Sequence, residues 1–482
     1  MSTGVKTPCA SRRPHVISND VTVRRRVWLM TLLLAGLVSR AIAPAAPATA
    51  LAQQLPLAGV SRSSYTGPGS CAAASCHGSV RPVAGSRVLQ TEYSTWVVQD
   101  KHAKATDVLA NALSVRMAKI LGLPRADTAP KCLACHSIEV PEQQRAKSYA
   151  ADGVSCEACH GPASGWLGPH TTRGLTHAQS VELGMYDTKD VVKRTEKCAS
   201  CHIGAADKSV DHEMIAAGHP DLVFDLEAFS AAMPRHWQSA QTNDSWQNVR
   251  NWSVGQLVQL REGLERLGRR AKGPGGPGVP GVNVWPEYAE LDCFACHHSL
   301  TRPQESFRQE LGYANRRPGN AAWNHSRFVV ARHVARVLDP ANADTLDAEV
   351  ERLANEVSKL QGDRNQIAGL TARLRATLDA LARRASTTES DRNSTIRFAQ
   401  AIAGDAERIA NAGERSAEQA SMSLETLFGA LTANAREIDA TAVRAALDRL
   451  FQQLENPSAY DPRRFAPQLR RITDLIPGAA GR

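Results

Sequence analysis

Apolar residues are spaced unevenly along the 482-residue chain, and their spacing divides it into three parts. Residues 27–38 (VWLMTLLLAGLV) form an unbroken apolar run behind Arg24, Arg25 and Arg26. Ala48-Thr49-Ala50 and Ala50-Leu51-Ala52 follow, each offering a small-residue cleavage site. A basic stretch, a short apolar stretch and a small-residue cleavage site together read as a secretory signal peptide. The run is too short to span a bilayer comfortably. The expectation is a signal peptide over 1–52, cleaved after Ala52, and a mature chain of 430 residues exported to the periplasm.

Between residue 53 and about residue 340 the periodicity is weak and broken by glycine and proline. Two stretches stand out. One runs helically onward from Thr91 and contains Trp96 and His102. The other, 251–271, carries Val254, Leu257, Val258, Leu260, Leu264 and Leu267 mostly on one side, as an amphipathic helix does. It stops at 272–283 (KGPGGPGVPGVN), where no regular element is possible. From Leu346 the pattern changes. Leu346, Val350, Leu353, Val357, Leu360 and Ile367 follow a heptad-like spacing, and the phase then shifts through Leu370, Leu374, Leu378 and Leu381. Further helices are expected near 390–412, 415–436 and 440–454. The fold class is mainly α with little regular sheet: one region over 53–340 and a helical domain over 341–482.

The chemistry lies in the first of these regions. Apart from Cys9, the eleven cysteines fall in five pairs, and a histidine follows the second member of each. The pairs are Cys71/Cys76 with His77, Cys132/Cys135 with His136, Cys156/Cys159 with His160, Cys198/Cys201 with His202, and Cys293/Cys296 with His297. Four of them are C-x-x-C-H, the attachment site of a c-type haem. The first has four residues between its thiols, but keeps the order. Disulfides suit an exported chain, and zinc ribbons also use C-x-x-C units in twos. Neither needs a histidine after every pair, and five pairs do not divide into four-thiolate sites. The ten cysteines are therefore expected to hold five haem c groups by thioethers. His77, His136, His160, His202 and His297 are then the proximal iron ligands. Five haems between residues 71 and 297 leave roughly 45 residues each, too few for separate apolar cores. The haems themselves become the core, and porphyrins packed closely pass electrons.

Nine further histidines of the mature chain can close the other face of an iron: His102, His170, His177, His212, His219, His236, His298, His325 and His333. Imidazole is the commonest side-chain metal ligand. His102, His170, His212 and His219 are the favoured ligands, with His236, His298 and His325 as further candidates. His212 and His219 are two helical turns apart and can share a face, and Gly218 and Pro220 mark a helix end that presents His219. Met214 can also ligate iron, or simply pack. Nine histidines exceed the five that full capping requires, so counting alone leaves open whether one haem lacks a sixth ligand. That haem would bind NO, nitrite, hydroxylamine or peroxide. A fully capped set only relays electrons.

Charge alters this picture little. Most of the formal net charge of +9 sits in the leader, which carries seven basic residues against Asp20. Haem propionates outweigh the remainder. No basic stripe with interleaved aromatics points to nucleic acid.

Residues 71–202 resemble the cytochrome c-554 family. The resemblance rests on a first haem motif, then Ser94, Trp96, His102, Ala103 and Ala105 as S-x-W…H-A-x-A. A second motif follows, then G-V-x-C-E-x-C-H-G-P…H ending at His170, and a fourth motif. It implies that His102 and His170 ligate haems other than the nearest in sequence. It also implies that the haem on His136 lacks a strong distal ligand. The fifth motif and the helical tail extend beyond the family's pattern. The expected function is electron transfer between periplasmic redox partners, membrane quinol-linked proteins or other cytochromes among them. The alternative is a haem enzyme acting on a small nitrogen species. No C-x-x-C-K site is present, which lowers the nitrite-reductase version.

Overall fold

The computed structural model describes residues 63–476 apart from 87, 148, 150–151, 239–245, 274–284, 298–320 and 436. The leader expected over 1–52, Cys9 and His298 lie outside the described residues. Among those described, the chain is mostly helical and has no strand, only three isolated bridges. No described helix is long and apolar enough to cross a membrane.

The first half is built from short helices joined by turns. These are α1 (Glu92–Gln99), α2 (Ala112–Ile120), α3 (Pro130–His136), α4 (Cys156–His160), α5 (His177–Glu182), α6 (Val191–His202), α7 (His212–Ala217) and α8 (Leu226–Ala232). Many begin at an acceptor side chain. Asp190 takes hydrogen bonds from the Val192 and Lys193 amides to start α6, and Asp225 does the same for α8. Each satisfies amides that have no partner inside the helix. The described residues of 63–246 assemble only two small apolar clusters of their own, one around Leu109, Ala118 and Ala126, the other around Ala199, Ile203, Phe224 and Leu226. So sparse a protein core fits a region whose interior is filled by a prosthetic group.

The second half has one large core. It runs from α9 (Gln247–Lys272) through α10 (Phe328–Leu338), α11 (Ala343–Val357), α12 (Arg364–Thr387), α13 (Arg392–Gly404), α14 (Ala406–Asn411), α15 (Glu414–Asn434), α16 (Ala440–Gln452) and α17 (Pro462–Arg471). The later helices fall close to the expected 390–412, 415–436 and 440–454. Three expectations need correction. First, α9 is buried on nearly every side, Asn251, Gln256, Gln259, Arg261, Arg266 and Arg270 included, and is not a one-faced amphipathic helix. It is the axis of the bundle. Second, no break falls at 340/341, because α9 and α10 share the bundle's core and residues 61–482 form one compact unit. Third, the apparent heptad phase shift is a hairpin. α11 ends at Val357, Leu360 stands 85% exposed in the turn, and Asp363 caps α12.

Small residues let α9 sit close to its neighbours. A Cβ on Gly255 would lie 2.8 Å from Leu226 Cβ, and one on Gly268 would lie 2.6 Å from Thr371 Oγ1. Gly255→Ala should therefore destabilise the fold by about 1–3 kcal/mol through overpacking, although alanine alone favours a helix by about 1 kcal/mol. A fall in the denaturation midpoint measures it; a rise would show that propensity outweighs the clash.

Candidate haem-binding site

Each motif sits where a helical turn brings two thiols and an imidazole to one side. The second lies on α3, the third on α4, and the fourth ends α6. Residues three and four apart share a helix face, so both cysteines and the following histidine project together. The fifth begins a 3₁₀ turn, where the His297 amide donates to the Cys293 carbonyl at 2.7 Å. In the first, the His77 amide donates to the Cys71 carbonyl at 3.2 Å, so residues 72–75 absorb the two extra positions. All ten described cysteines are free of disulfides. The Cys71 thiol lies beside that of Cys156, and the Cys135 thiol beside that of Cys201. The first motif thus abuts the third, and the second abuts the fourth.

Four of the five motif histidines face a second imidazole at nearly one spacing. Ring centres of His77 and His170 are 6.2 Å apart, His102 and His202 6.2 Å, His136 and His219 6.3 Å, and His212 and His297 6.2 Å. Two imidazoles bound through Nε2 to opposite sides of one ion, each at ~2 Å, hold their ring centres about 6 Å apart. The donors therefore suit an ion between each pair. Among the described residues no group of three or more His, Cys, Asp or Glu comes together as a metal site. Paired imidazoles with no third protein donor would fit a porphyrin iron, whose remaining ligands would come from the ring.

The other ring nitrogen supports this arrangement. Nδ1 of His77 bonds Glu92 at 3.0 Å, Nδ1 of His102 bonds Asp100 at 2.9 Å, and Nδ1 of His136 donates to the Ala105 carbonyl at 2.8 Å. Nδ1 of His170 donates to the Leu167 carbonyl at 2.5 Å, that of His219 to the Pro220 carbonyl at 2.7 Å, and that of His236 to the Pro234 carbonyl at 3.2 Å. Such bonds orient an imidazole and leave Nε2 for a metal. His177 and His333 are the reverse case. Their Nε2 atoms meet Asp187 and Asp405, which makes them structural. His325 is buried against Trp323, and Met214 is buried within α7.

The histidine without a described imidazole at the common spacing is His160, not His136. The expectation that His136 stands uncapped fails because α7 ends at Ala217 and Gly218 turns the chain at φ +120°, aiming His219 at His136. For the same reason His212 and His219 do not share a face: each meets a different motif. His160 is buried, and burial, then the field of His236, pushes its pKa down to about 4. Burial, then His102, does the same to His202. Both rings are neutral at pH 7 and keep a lone pair for a metal.

Two acids that set this geometry carried no sequence signal beyond their place near a motif. Glu157, inside the third motif and 2% exposed, accepts from the amides of Thr66 and Gly67 at 3.0 and 2.7 Å and of Ala163 at 2.7 Å. It fastens the chain before the first motif to the third. Glu290, three residues before Cys293, meets Arg266 at 2.7 and 2.9 Å and also pairs with Arg270. Arg266 donates to the Ile203 carbonyl just after His202, at 2.7 Å, and Arg270 to the Val210 carbonyl, at 3.2 Å. One buried cluster on α9 therefore positions the fourth and fifth motifs and the approach to His212.

Glu157→Ala strands three buried amides and should cost about 3 kcal/mol, read as a lower denaturation midpoint with early loss of the His77 and His160 centres. Glu290→Gln leaves two guanidiniums without their charge partner and should cost about 3–5 kcal/mol. Burial would raise the Glu290 pKa, but Arg266 and Arg270 pull it down to about 2. Its contribution is thus present above the unfolded value of about 4.3 and lost as pH falls through about 2. The stability difference between wild type and the variant should shrink across that window; a constant difference would assign the loss to packing alone.

Neither the curated proteins nor the solved structures contain a match to this chain. The sequence model of the family described as cytochrome c554 and c-prime matches residues 71–161, the segment holding the first three motifs. Over that segment the chain is similar to the cytochrome c554 and c-prime family, which is consistent with a c-type cytochrome that carries covalent haem c for electron transfer or haem-based redox chemistry.

Proposed function

We propose that the chain is an exported, periplasmic five-haem electron carrier. Cys71, Cys76, Cys132, Cys135, Cys156, Cys159, Cys198, Cys201, Cys293 and Cys296 hold the haems. His77, His136, His160, His202 and His297 are the proximal ligands. The distal ligands are His170 opposite His77, His219 opposite His136, His102 opposite His202 and His212 opposite His297. His236, whose Nδ1 is held and whose field reaches His160, completes the set. The haems supply one-electron exchange between ferric and ferrous iron. The chain's own part is to hold both axial positions, which leaves a centre able to relay an electron and closed to other ligands. The observation that carries this reading is the common spacing of the four imidazole pairs. Contact between the first and third motifs, and between the second and fourth, supports a continuous path. The donors and acceptors are other periplasmic redox proteins.

One observation favours a second reading. His160 is paired less closely than the other four, so its haem is where NO, hydroxylamine or nitrite would enter if the protein were an enzyme.

A haemochrome assay should return five haems per chain. Electron paramagnetic resonance of the oxidised protein should show low-spin iron throughout, with no CO binding after reduction. His236→Ala should then convert one haem to high-spin and admit CO. A wild-type high-spin signal that His236→Ala leaves unchanged would favour the enzyme reading instead. Loss of a low-spin signal in His219→Ala tests the pairing with His136.

A further inference from the structure

The wall behind the fourth motif contains two carboxyl groups with no cation in contact with the more buried one. Phe224 and Phe229 pack on the His202 ring, with centres 5.7 and 5.1 Å away, and Ala199, Ile203 and Leu226 fill the space around them. Asp225 follows Phe224 and is 1% exposed. Its Oδ1 accepts from the amides of Glu227 and Ala228, both at 3.0 Å. Its Oδ2 meets only amide side chains: Gln256 Nε2 of α9 at 2.7 Å and Gln419 Nε2 of α15 at 3.4 Å. Glu227 stands beside it, facing Arg194 of α6 and Asn251 of α9.

The amide chain behind Asp225 has an acceptor to spare. Gln259 Nε2 donates to Gln256 Oε1 at 2.8 Å, while Gln259 Oε1 is buried with no hydrogen-bond partner. Gln419 Nε2 also donates to Gln256 Oε1, at 3.3 Å. The side-chain partners of Oδ2 are thus neutral amides, and an amide can donate to a carboxylate or, turned over, accept from a carboxylic acid. Arg194 Nε is likewise buried without a hydrogen-bond partner, beside Glu227.

We propose that Asp225, seconded by Glu227, is a proton-binding site coupled to the charge of the centre held by Cys198, Cys201 and His202. The haem that Cys198, Cys201 and His202 would hold would supply a charge that falls by one when an external reductant delivers an electron, and the Asp225 carboxylate would then take one proton from solvent and release it on reoxidation. The physical cause is Coulombic: a centre one charge more positive holds a nearby carboxylate ionised, and low-dielectric packing between them leaves little to screen it. Burial raises Asp225 to about 6 and Glu227 to about 7, which sets the exchange near neutral pH. Glu425 of α15 adds to the rise at Asp225, and Arg194 opposes it at Glu227. Arg327, Arg415 and Asp221 line the small cavity alongside Leu222 and Phe224. The inference rests on the haem reading of the fourth motif.

The test is a spectroelectrochemical titration of the full haem-loaded protein between pH 5 and 9. One midpoint potential should fall as pH rises, by up to about 59 mV per unit, the constant for one proton per electron. Asp225→Asn should flatten most of that slope; asparagine still caps α8, and haem content checks that the variant is loaded. Glu227→Gln should move the window, and a pH indicator should record proton uptake on reduction of wild type but less in Asp225→Asn. Potentials independent of pH in wild type, or a slope unchanged in both variants, would overturn the proposal. Failure of the underlying haem reading looks different: replacing Cys198 and Cys201 together by alanine would leave the haem count unchanged.

Discussion

The arrangement depends on a charge buried where water cannot reach it. Glu290 lies between Arg266 and Arg270 inside the molecule, and each partner also holds a backbone carbonyl near a motif. Removing two cations and an anion from water is expensive, and only full pairing offsets that cost. The three groups are therefore tolerated in one geometry only. Because the arginines are one helical turn apart on α9, that geometry fixes Ile203, Val210 and Glu290 against a single rigid rod. The consequence is spatial more than energetic: His202, His212 and His297 inherit their places from it.

The imidazole pairs extend the same logic through the first half. Every pair joins residues roughly a hundred positions apart, and the links cross: His102 reaches forward past His136 to His202, while His170 reaches back past His136 to His77. Contacts of such separation are slow to form unaided. Residues 63–246 offer little apolar core to drive them. The short helices with their acidic caps hold the motifs locally, and the haem-binding reading assigns the long-range closure to the axial bonds.

How much of this was legible in the sequence follows from the range of each interaction. The motifs are local, so five cysteine pairs, their following histidines and the helical tail could be read directly. Capping is tertiary: nothing near His219 in sequence says that it meets His136 instead of sharing a face with His212. Gly218 was the available sign, since its positive φ ends the helix. The nature of α9 was hidden for a related reason. Its glutamines and arginines read as a solvent face, and they are buried because Asp225, Glu290 and Gln419 come from elsewhere to meet them. Leu360 was misread because periodicity cannot tell a shifted heptad from a turn.

The same helix explains why the bundle and the cytochrome region share one compact unit. A bundle that only packed beside the motifs would need no polar groups inside it. This one sends Gln256 and Gln419 to Asp225, Arg261 to Glu196 on α6, and Arg266 and Arg270 to Glu290. Each reaches a segment that carries a motif or, for Asp225, packs on a motif's histidine through Phe224. The bundle thus supplies a dry, fixed wall, and charges in such a wall act on their surroundings far more strongly than charges in water. A change of charge on the motif side is then felt by groups the bundle holds in place, and the bundle decides which of them can answer it.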